Sequence, residues 1–327
     1  MEMVVFVQIP CLNEEGTLPL VLKGIPKTVP GVDRIEILVI DDGSTDNTYE
    51  VAKSLGVKHF VRHARRAGLA QAFRDGVDYA LRHGADIVVN TDGDNQYPQD
   101  RISDLVQPII AGEADIVIGD RQTARIAHFS PFKKLMQRIG SSVVNYAAGT
   151  DLPDAASGFR AYSRKSLLKL NIVTRFSYCM ETIIQAGNKR LEIASIKIET
   201  NPKMRESRLF KNIWHHMFES GKAILRSYIM YRPHVVFLTL GFILLAVAAI
   251  PFTRYFFFIV EDDGRGHTQS LIFGSAMLVG SLLSFALVVI ADLLRTNRIL
   301  TEDILERTKR VEYEQFVMKK AHEKKSS

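Results

Sequence analysis

Cysteine is nearly absent from this chain of 327 residues: Cys11 and Cys179 are its only thiols, far apart and in no Cys-x-x-Cys pair. That excludes a disulfide framework and a cysteine-built zinc site. Histidine shows no metal-ligand grouping at His59, His63, His83, His215 or His216. The chain has one tryptophan, Trp214, no internal repeat and no Gln-x-x-Arg-Trp segment, so processive polysaccharide synthesis is disfavoured. The opening residues, Met1–Val7, lack a basic region ahead of an apolar core. They read as a first strand rather than a signal peptide, and the N-terminal part is expected to stay in the cytoplasm.

Charge is unbalanced, at +6 with a pI near 9.2. No RNP, zinc-finger or helix-turn-helix signature accompanies it. Lys and Arg concentrate at 203–232 and 295–325, beside the apolar segments. That placement favours an anionic membrane surface over nucleic acid.

The first half alternates between short apolar runs and amphipathic stretches. Strands are expected at Val4–Ile9, Arg34–Ile40, Lys58–Val61, Ala85–Asn90 and Ala114–Gly119. Helices are expected at Glu15–Gly24, Thr45–Leu55, Ala67–His83 and Pro98–Ala111. In the third helix Leu69, Ala72, Phe73, Val77, Ala80 and Leu81 fall on one stripe. This βαβαβ order predicts a parallel-rich sheet with helices on both faces.

The second half is different. Ser270–Ala291 carries no charge, and Val235–Pro251 is equally clean and runs on past Arg254 to Val260. About 20 apolar residues cross a bilayer, so 233–291 is expected to be a transmembrane hairpin with a short outer loop at 261–267. Arg254 is then a snorkelling residue or a helix end. Basic residues flank the hairpin on both sides and acids sit in its loop, which places both chain ends in the cytoplasm. Residues 211–232 read as interfacial amphipathic helices, with a buried soluble helix as the alternative. In the tail, 292–327, Leu293, Ile299, Leu300, Ile304, Val311 and Phe316 suggest a seam with another subunit, or a solvated helix.

The densest chemical signal is Asn90-Thr91-Asp92-Gly93-Asp94-Asn95-Gln96, after the apolar run Asp86–Val89. Open α/β sheets bind ligands just past their strand ends. Alternate residues of an extended segment point the same way, so Asp92, Asp94 and Gln96 converge. Three oxygen donors suit Mg²⁺ or Mn²⁺ with phosphates completing the shell; a solvated turn is the plain alternative. Three further segments lie at expected strand ends. They are Pro10-Cys11-Leu12-Asn13-Glu14-Glu15, Asp41-Asp42-Gly43-Ser44-Thr45-Asp46 and Asp154-Ala155-Ala156-Ser157-Gly158-Phe159-Arg160. Asn13 and Glu14 also read as a helix cap. Asp42 reads as an acceptor for a base N–H or a ribose hydroxyl, with Ser44 and Thr45 capping the next helix.

Taken together, these segments resemble family 2 glycosyltransferases of the GT-A fold, over roughly residues 4–210. Within them the chain is most similar to polyprenyl-phosphate glycosyltransferases such as dolichyl-phosphate mannose synthases, and its hairpin fits the bacterial two-span members. The resemblance implies an α/β fold: a GT-A, Rossmann-like mixed-sheet domain at 1–210, followed by the helical hairpin. It implies transfer of a sugar from a nucleotide-sugar to a polyprenyl phosphate with inversion, or, as the alternative, to a hydroxyl of a glycolipid or saccharide.

Site residues follow from the same resemblance. Pro10, Leu12, Asn13, Glu14, Asp41, Asp42, Asp92 and Gly93 would line the nucleotide pocket, and Arg66, in Arg65-Arg66-Ala67-Gly68-Leu69, would meet the diphosphate. Asp92, Asp94 and Gln96 would serve the Mg²⁺ or Mn²⁺. Asp154 and Glu181 are the carboxylates placed as base or sugar-orienting group. Arg205, Ser207 and Arg208 stand where the family grips phosphate, with a tighter spacing and Arg208 in place of lysine. Arg121 and Arg160 are further candidates for the lipid phosphate. His128, Lys133 and Lys134 belong to an acceptor loop or to a surface helix. Membrane lipid is an expected partner, a homo-oligomer is implied with a tetramer plausible by resemblance, and nucleic acid is not expected.

Overall fold

The computed structural model describes residues 2–123, 131–173, 178–202, 221–222, 228–229, 232–262 and 268–325. They form two compact units, Met1–Leu225 with Ile304–Ser327, and Arg226–Asp303. The expected interfacial helices at 211–232 lie almost wholly outside the described residues, as do His128 and residues 263–267 of the loop.

In the first unit the strands are β1 (Val4–Cys11), β2 (Arg34–Asp41), β3 (His59–Arg62), β4 (Ile87–Asn90), β5 (Ile116–Asp120), β6 (Arg160–Ser163) and β7 (Ile193–Lys197). They make one seven-stranded sheet in the order β3-β2-β1-β4-β6-β5-β7. All neighbours are parallel except β6, which runs antiparallel to both β4 and β5. The apolar runs of β1, β4 and β5 are buried on both faces, as expected of parallel strands sandwiched by helices. The chain turns from β1 towards β2 on one side and reaches β4 on the other. The crevice between β1 and β4 is therefore the switch point of the sheet.

The helices of this unit are α1 (Leu18–Gly24), α2 (Thr48–Ser54), α3 (Leu69–Arg82), α4 (Ile102–Ile110), α5 (Pro131–Ala148), α6 (Arg164–Lys169) and α7 (Tyr178–Asn188). Several start later than the sequence suggested, each for a local reason. Residues Thr45–Asn47 brace the first loop instead of opening α2: the Thr45 amide donates to Asn13 Oδ1 and the Asn47 amide to Glu15 Oε2. Asp46 accepts from the Thr48 amide, and Asn47 rather than Ser44 or Thr45 stands at the N-terminus of α2. Gly68, at φ 97°, ends the loop before α3. Residues Gln99–Arg101 form a 3-10 turn before α4.

α3 shows how tightly the layers meet. Its buried face includes Phe73, Val77, Ala80 and Leu81. A Cβ on Gly76 would stand 2.6 Å from Gln8 Oε1 and 2.9 Å from Ile40 Cδ1, so only glycine lets the helix lie this close to the sheet. Phe73 is stacked on Tyr178 at 4.0 Å and meets Tyr162 edge-on at 5.4 Å.

The second unit holds α8 (Pro233–Asp262) and part of α9 (Thr268–Lys325). Both helices are long and apolar enough to cross a membrane, and few of their apolar residues are buried. They pack antiparallel. Ser281 Oγ donates to the Gly241 carbonyl and Ser284 Oγ to the Phe237 carbonyl, each at 2.9 Å, and Gly241 admits the Phe285 ring. Small residues and hydroxyls at the contact are how helices associate in lipid.

The expected span and tail are one continuous helix, α9. Its last part belongs to the first unit and packs there through a single face. Lys309 Nζ donates to Asn171 Oδ1 at 2.9 Å, Arg164 lies over the Tyr313 ring at 4.3 Å, and Phe316 meets His83 at 5.9 Å. Of the residues expected in a seam, Phe316 packs on its own chain, while Leu293, Ile299, Leu300, Ile304 and Val311 are exposed.

Truncating Phe73 to alanine removes two ring contacts from a fully buried position. We expect a loss of about 3–5 kcal/mol, read as a lower melting temperature of the detergent-solubilised protein.

Candidate active site

Parallel pairing carries the ends of β1, β2 and β4 to one edge of the sheet. Pro10–Glu14, Asp41–Ser44 and Thr91–Gln96 leave from that edge. Because β6 runs backwards, its start arrives there too, with Arg160 opposite Asn90 and Ile118. The Asp154–Gly158 loop and Arg121, just past β5, therefore join the same edge.

The loops are braced from below. Asn90 Oδ1 accepts from Gln8 Nε2 at 3.0 Å, and Asn90 Nδ2 donates to the Gly158 carbonyl at 3.0 Å and to the Tyr178 hydroxyl at 2.7 Å. The Tyr97 hydroxyl accepts from the Gly158 amide at 2.9 Å, and the Tyr97 ring stacks on Phe159. A Cβ on Gly158 would meet both tyrosine oxygens at 3.3 Å and Asp92 Oδ1 at 3.5 Å. Burial, with a further push from Asp92, raises the Tyr97 hydroxyl well above its ordinary pKa, so it stays a neutral donor and acceptor. Asn201 ties a distant segment to the motif: its Nδ2 donates to the Asn95 and Tyr97 carbonyls, and its amide to the Gln96 carbonyl.

The first loop and the acidic motif are locked together. A Cβ on Gly93 would lie 3.0 Å from Cys11 Sγ and 3.1 Å from Glu14 Cγ. The Thr17 hydroxyl sits 2.8 Å from the Gly93 carbonyl and 2.7 Å from Glu14 Oε2. Asn13 holds φ 58° and bonds Ser44 and Thr45 across the gap to β2. It is a loop brace, not the cap of α1. Pro10 and Leu12 sit in the same turn.

Asp94 and Gln96 converge. The Gln96 amide and its Nε2 both donate to the Asp94 carboxylate, at 3.1 and 2.8 Å. That leaves the Gln96 carbonyl as its remaining side-chain donor to a cation. Asp92 and Asp94 are half-buried, unlike the buried Asp41, Asp42 and Asp154. Among the described residues no group of three or more His, Cys, Asp or Glu side chains could hold a metal by itself. A few hard oxygen donors fit Mg²⁺ or Mn²⁺ when a ligand's phosphates supply the rest.

Other expected residues are already engaged. Asp42 accepts from His63 Nδ1 at 2.7 Å and from the Ala67 and Gly68 amides at 2.7 and 2.9 Å. Of about four acceptor positions on a carboxylate, those contacts occupy three. Asp42 therefore shapes the 63–68 loop and keeps about one acceptor position for a ligand. Asp41 accepts from the Ser44 amide and Arg62 Nε. Arg66 is exposed on that loop, where its backbone packs against Gly43.

Arg160 is corrected outright. It is fully buried, and its guanidinium donates to the Ser157, Cys179 and Ala155 carbonyls and to Thr182 Oγ1. It pins the start of β6 to α7 and reaches no lipid phosphate. Arg121 grips Asp154 in bidentate fashion, Nε to Oδ2 at 2.7 Å and Nη2 to Oδ1 at 2.9 Å. Burial alone would raise the Asp154 carboxyl, but the Arg121 charge and hydrogen bonds outweigh it and hold the carboxyl below its ordinary pKa. Glu181 is buried one helical turn after Tyr178 on α7 and accepts from the Val173 amide and from Gln185. Arg205, Ser207 and Arg208 lie outside the described residues.

The sequence reading gave no role to Thr17, Asn90, Tyr97, Tyr178 or Asn201. Tyr97 adjoins the acidic motif, a local cue; the Asn201 contact spans over a hundred residues and leaves no such cue.

The family model "Glycosyl transferase family 2" matches residues 6–170, half of the chain. The chain belongs to glycosyl transferase family 2. Among curated relatives, this family 2 transferase is 30% identical to a polyprenol monophosphomannose synthase of Mycolicibacterium smegmatis, over 67% of this chain and 86% of that one. It is 28% identical to a UDP-N-acetylglucosamine–dolichyl-phosphate N-acetylglucosaminyltransferase of Methanococcus voltae, over 60% and 85%. In fold it is similar to glucosyl-3-phosphoglycerate synthase of Mycobacterium tuberculosis in complex with Mn²⁺, UDP-glucose and phosphoglyceric acid. The TM-score there is 0.53 at 24% identity, covering 69% of this chain and 79% of that one. The architecture is thus a GT-A type α/β fold with a mixed sheet.

Asp154→Asn would strand the Arg121 guanidinium in a largely buried site, at an expected cost of about 3–5 kcal/mol. A double variant, Arg121→Met with Asp154→Leu, should recover most of it. The depressed carboxyl adds stability above its unfolded pKa of about 3.9, and that stability is lost as pH falls through the folded value. Melting temperature should therefore drop more steeply below about pH 4 in the wild type than in the double variant.

Proposed function

We propose that this family 2 enzyme transfers one sugar from a UDP- or GDP-sugar to a membrane-borne polyprenyl phosphate. The acceptor's phosphate oxygen attacks the sugar C1, the C1–O bond to the nucleoside diphosphate breaks, and the anomeric centre inverts. The observation that carries this reading is the Asp154–Arg121 pair. A carboxylate held below its ordinary pKa by a guanidinium is a weak base. A hydroxyl acceptor needs a base; a phosphate acceptor is already anionic. The two apolar helices and the curated relatives' polyprenyl and dolichyl phosphate acceptors support the same choice.

On this reading Pro10–Glu14 and Asp41–Asp42 form the nucleotide side, with Arg66 near the diphosphate. Asp92 and Gly93 close that side from β4. Asp94 and Gln96 would hold a divalent cation, which when bound offsets charge on the leaving diphosphate. Arg121 presents its remaining Nη1 edge to a phosphate while Asp154 fixes its orientation. Arg205, Ser207 and Arg208 would add phosphate contacts. Glu181, one turn from Tyr178, would orient the sugar. The hairpin would place the catalytic unit and both termini on the cytoplasmic face, by the distribution of Lys and Arg.

The test is purified protein with polyprenyl phosphate, Mg²⁺ or Mn²⁺ and a panel of UDP- and GDP-sugars, read by mass spectrometry. A sugar-phosphate lipid is expected, with turnover falling roughly 10²–10³-fold in Asp94→Ala. Metal-dependent nucleotide-sugar binding with no lipid product, and product on a saccharide hydroxyl instead, would overturn it.

A further inference from the structure

α5 has two unlike faces. One is packed: Ser141, Val144, Ala147 and Ala148 are buried. Ser141 Oγ accepts from the Ala155 amide, and Asn145 clamps Leu152 through both its amide and its carbonyl. The other face carries Leu135, Ile139, Val143 and Tyr146, which are 52%, 46%, 43% and 69% exposed. The spacing i, i+4, i+8, i+11 puts all four within a narrow helical sector. Scattered exposed apolar residues are ordinary, but a contiguous stripe on a rigid helix marks a contact surface.

The charge around the stripe selects the partner. From Arg121 to Thr150 the sequence has five Lys or Arg residues, namely Arg121, Arg125, Lys133, Lys134 and Arg138, and no acid. Arg138 is exposed beside Leu135 and Ile139. A two-fold contact with a second copy would set these cations against their own images, with no carboxylate on the helix to pair them. An anionic lipid surface has the matching chemistry: an apolar boundary for the stripe and phosphates for the cations. Two bilayer-length helices on the same chain keep such a surface within reach.

We propose that the exposed face of α5 is a membrane-docking surface of the catalytic unit, distinct from the hairpin. Leu135, Ile139, Val143 and Tyr146 enter the headgroup–acyl boundary, and Arg138 meets lipid phosphate. This inference rests on the hairpin being inserted in the bilayer. Through Ser141 and Asn145 the docked helix also supports the loop that carries Asp154, so docking and the Arg121–Asp154 pair share one scaffold.

The test uses the full chain in liposomes containing anionic lipid. An environment-sensitive nitrobenzoxadiazole label is placed at Ile139→Cys, with Leu55→Cys as an exposed reference; Cys11 and Cys179 are buried. Flotation with the vesicles checks insertion. The expected result is blue-shifted emission at 139 that spin-labelled lipid quenches, with solvent-like emission at 55. Adding Arg138→Glu should weaken the quenching more in anionic than in zwitterionic vesicles. Protein that floats but shows solvent-like emission at 139 overturns the docking surface alone. A blue shift that lipid quenchers leave intact and that protein dilution removes assigns the stripe to a second copy and also overturns it. Failure to float overturns the hairpin and the docking surface together.

Discussion

The site edge depends on how buried polar groups are satisfied where water is excluded. Asn90 ends a fully buried strand, and its side chain must find every partner inside the protein. It does so through Gln8, Gly158 and Tyr178, which join β1, β4, the start of β6 and α7. An unpaired amide there would cost on the order of 1–3 kcal/mol, so these four elements hold one relative arrangement. Arg160 performs the same function one strand over with three carbonyls and a threonine hydroxyl. The half-exposed Asp92 and Asp94 stand on this framework. Asp94 is held in turn by the Gln96 amide and Nε2.

That framework also sorts the charged residues by role. Asp41, Asp42, Asp154 and Arg160 are buried and held by protein partners, so they organise loops. Asp92, Asp94 and Gln96 keep access to the edge. On the proposed function, with a diphosphate donor and an anionic acceptor, the fixed pairing of Arg121 with Asp154 would present a cation at a set position and remove a competing base. The chemistry then rests on charge placement and orientation, which suits the displacement of one phosphate ester by another phosphate oxygen.

The last helix runs through both units. α9 begins in the apolar unit and its last part belongs to the catalytic one, where Lys309 bonds Asn171 and Leu170. Asn171 in turn exchanges hydrogen bonds with Gln185, a neighbour of Glu181. The tail is thus part of the packing of the sheet domain, although it lies far beyond the family match in sequence.

Apolar patterning identified the strands and helices up to β5, and run length the two bilayer-length helices, because burial of one stripe or one run is a local demand on composition. The spacing in Asp92-Gly93-Asp94-Asn95-Gln96 suggested convergence by alternation of an extended segment, but the segment is a turn with Asn95 at φ 59°, and it is this turn that brings Gln96 onto Asp94. Tertiary structure decided the rest. Antiparallel β6, which brings residues 154–160 to the site, has no local sign, since strand direction depends on the pairing partner. The same holds for Arg160, read as a phosphate ligand until four internal acceptors claim it, and for Asp154, whose strength as a base is set by Arg121 thirty-three residues away. A charged residue's type is written in the sequence. Its protonation, partners and availability belong to the surroundings that folding assembles, because desolvation and Coulomb interactions act through space and not along the chain.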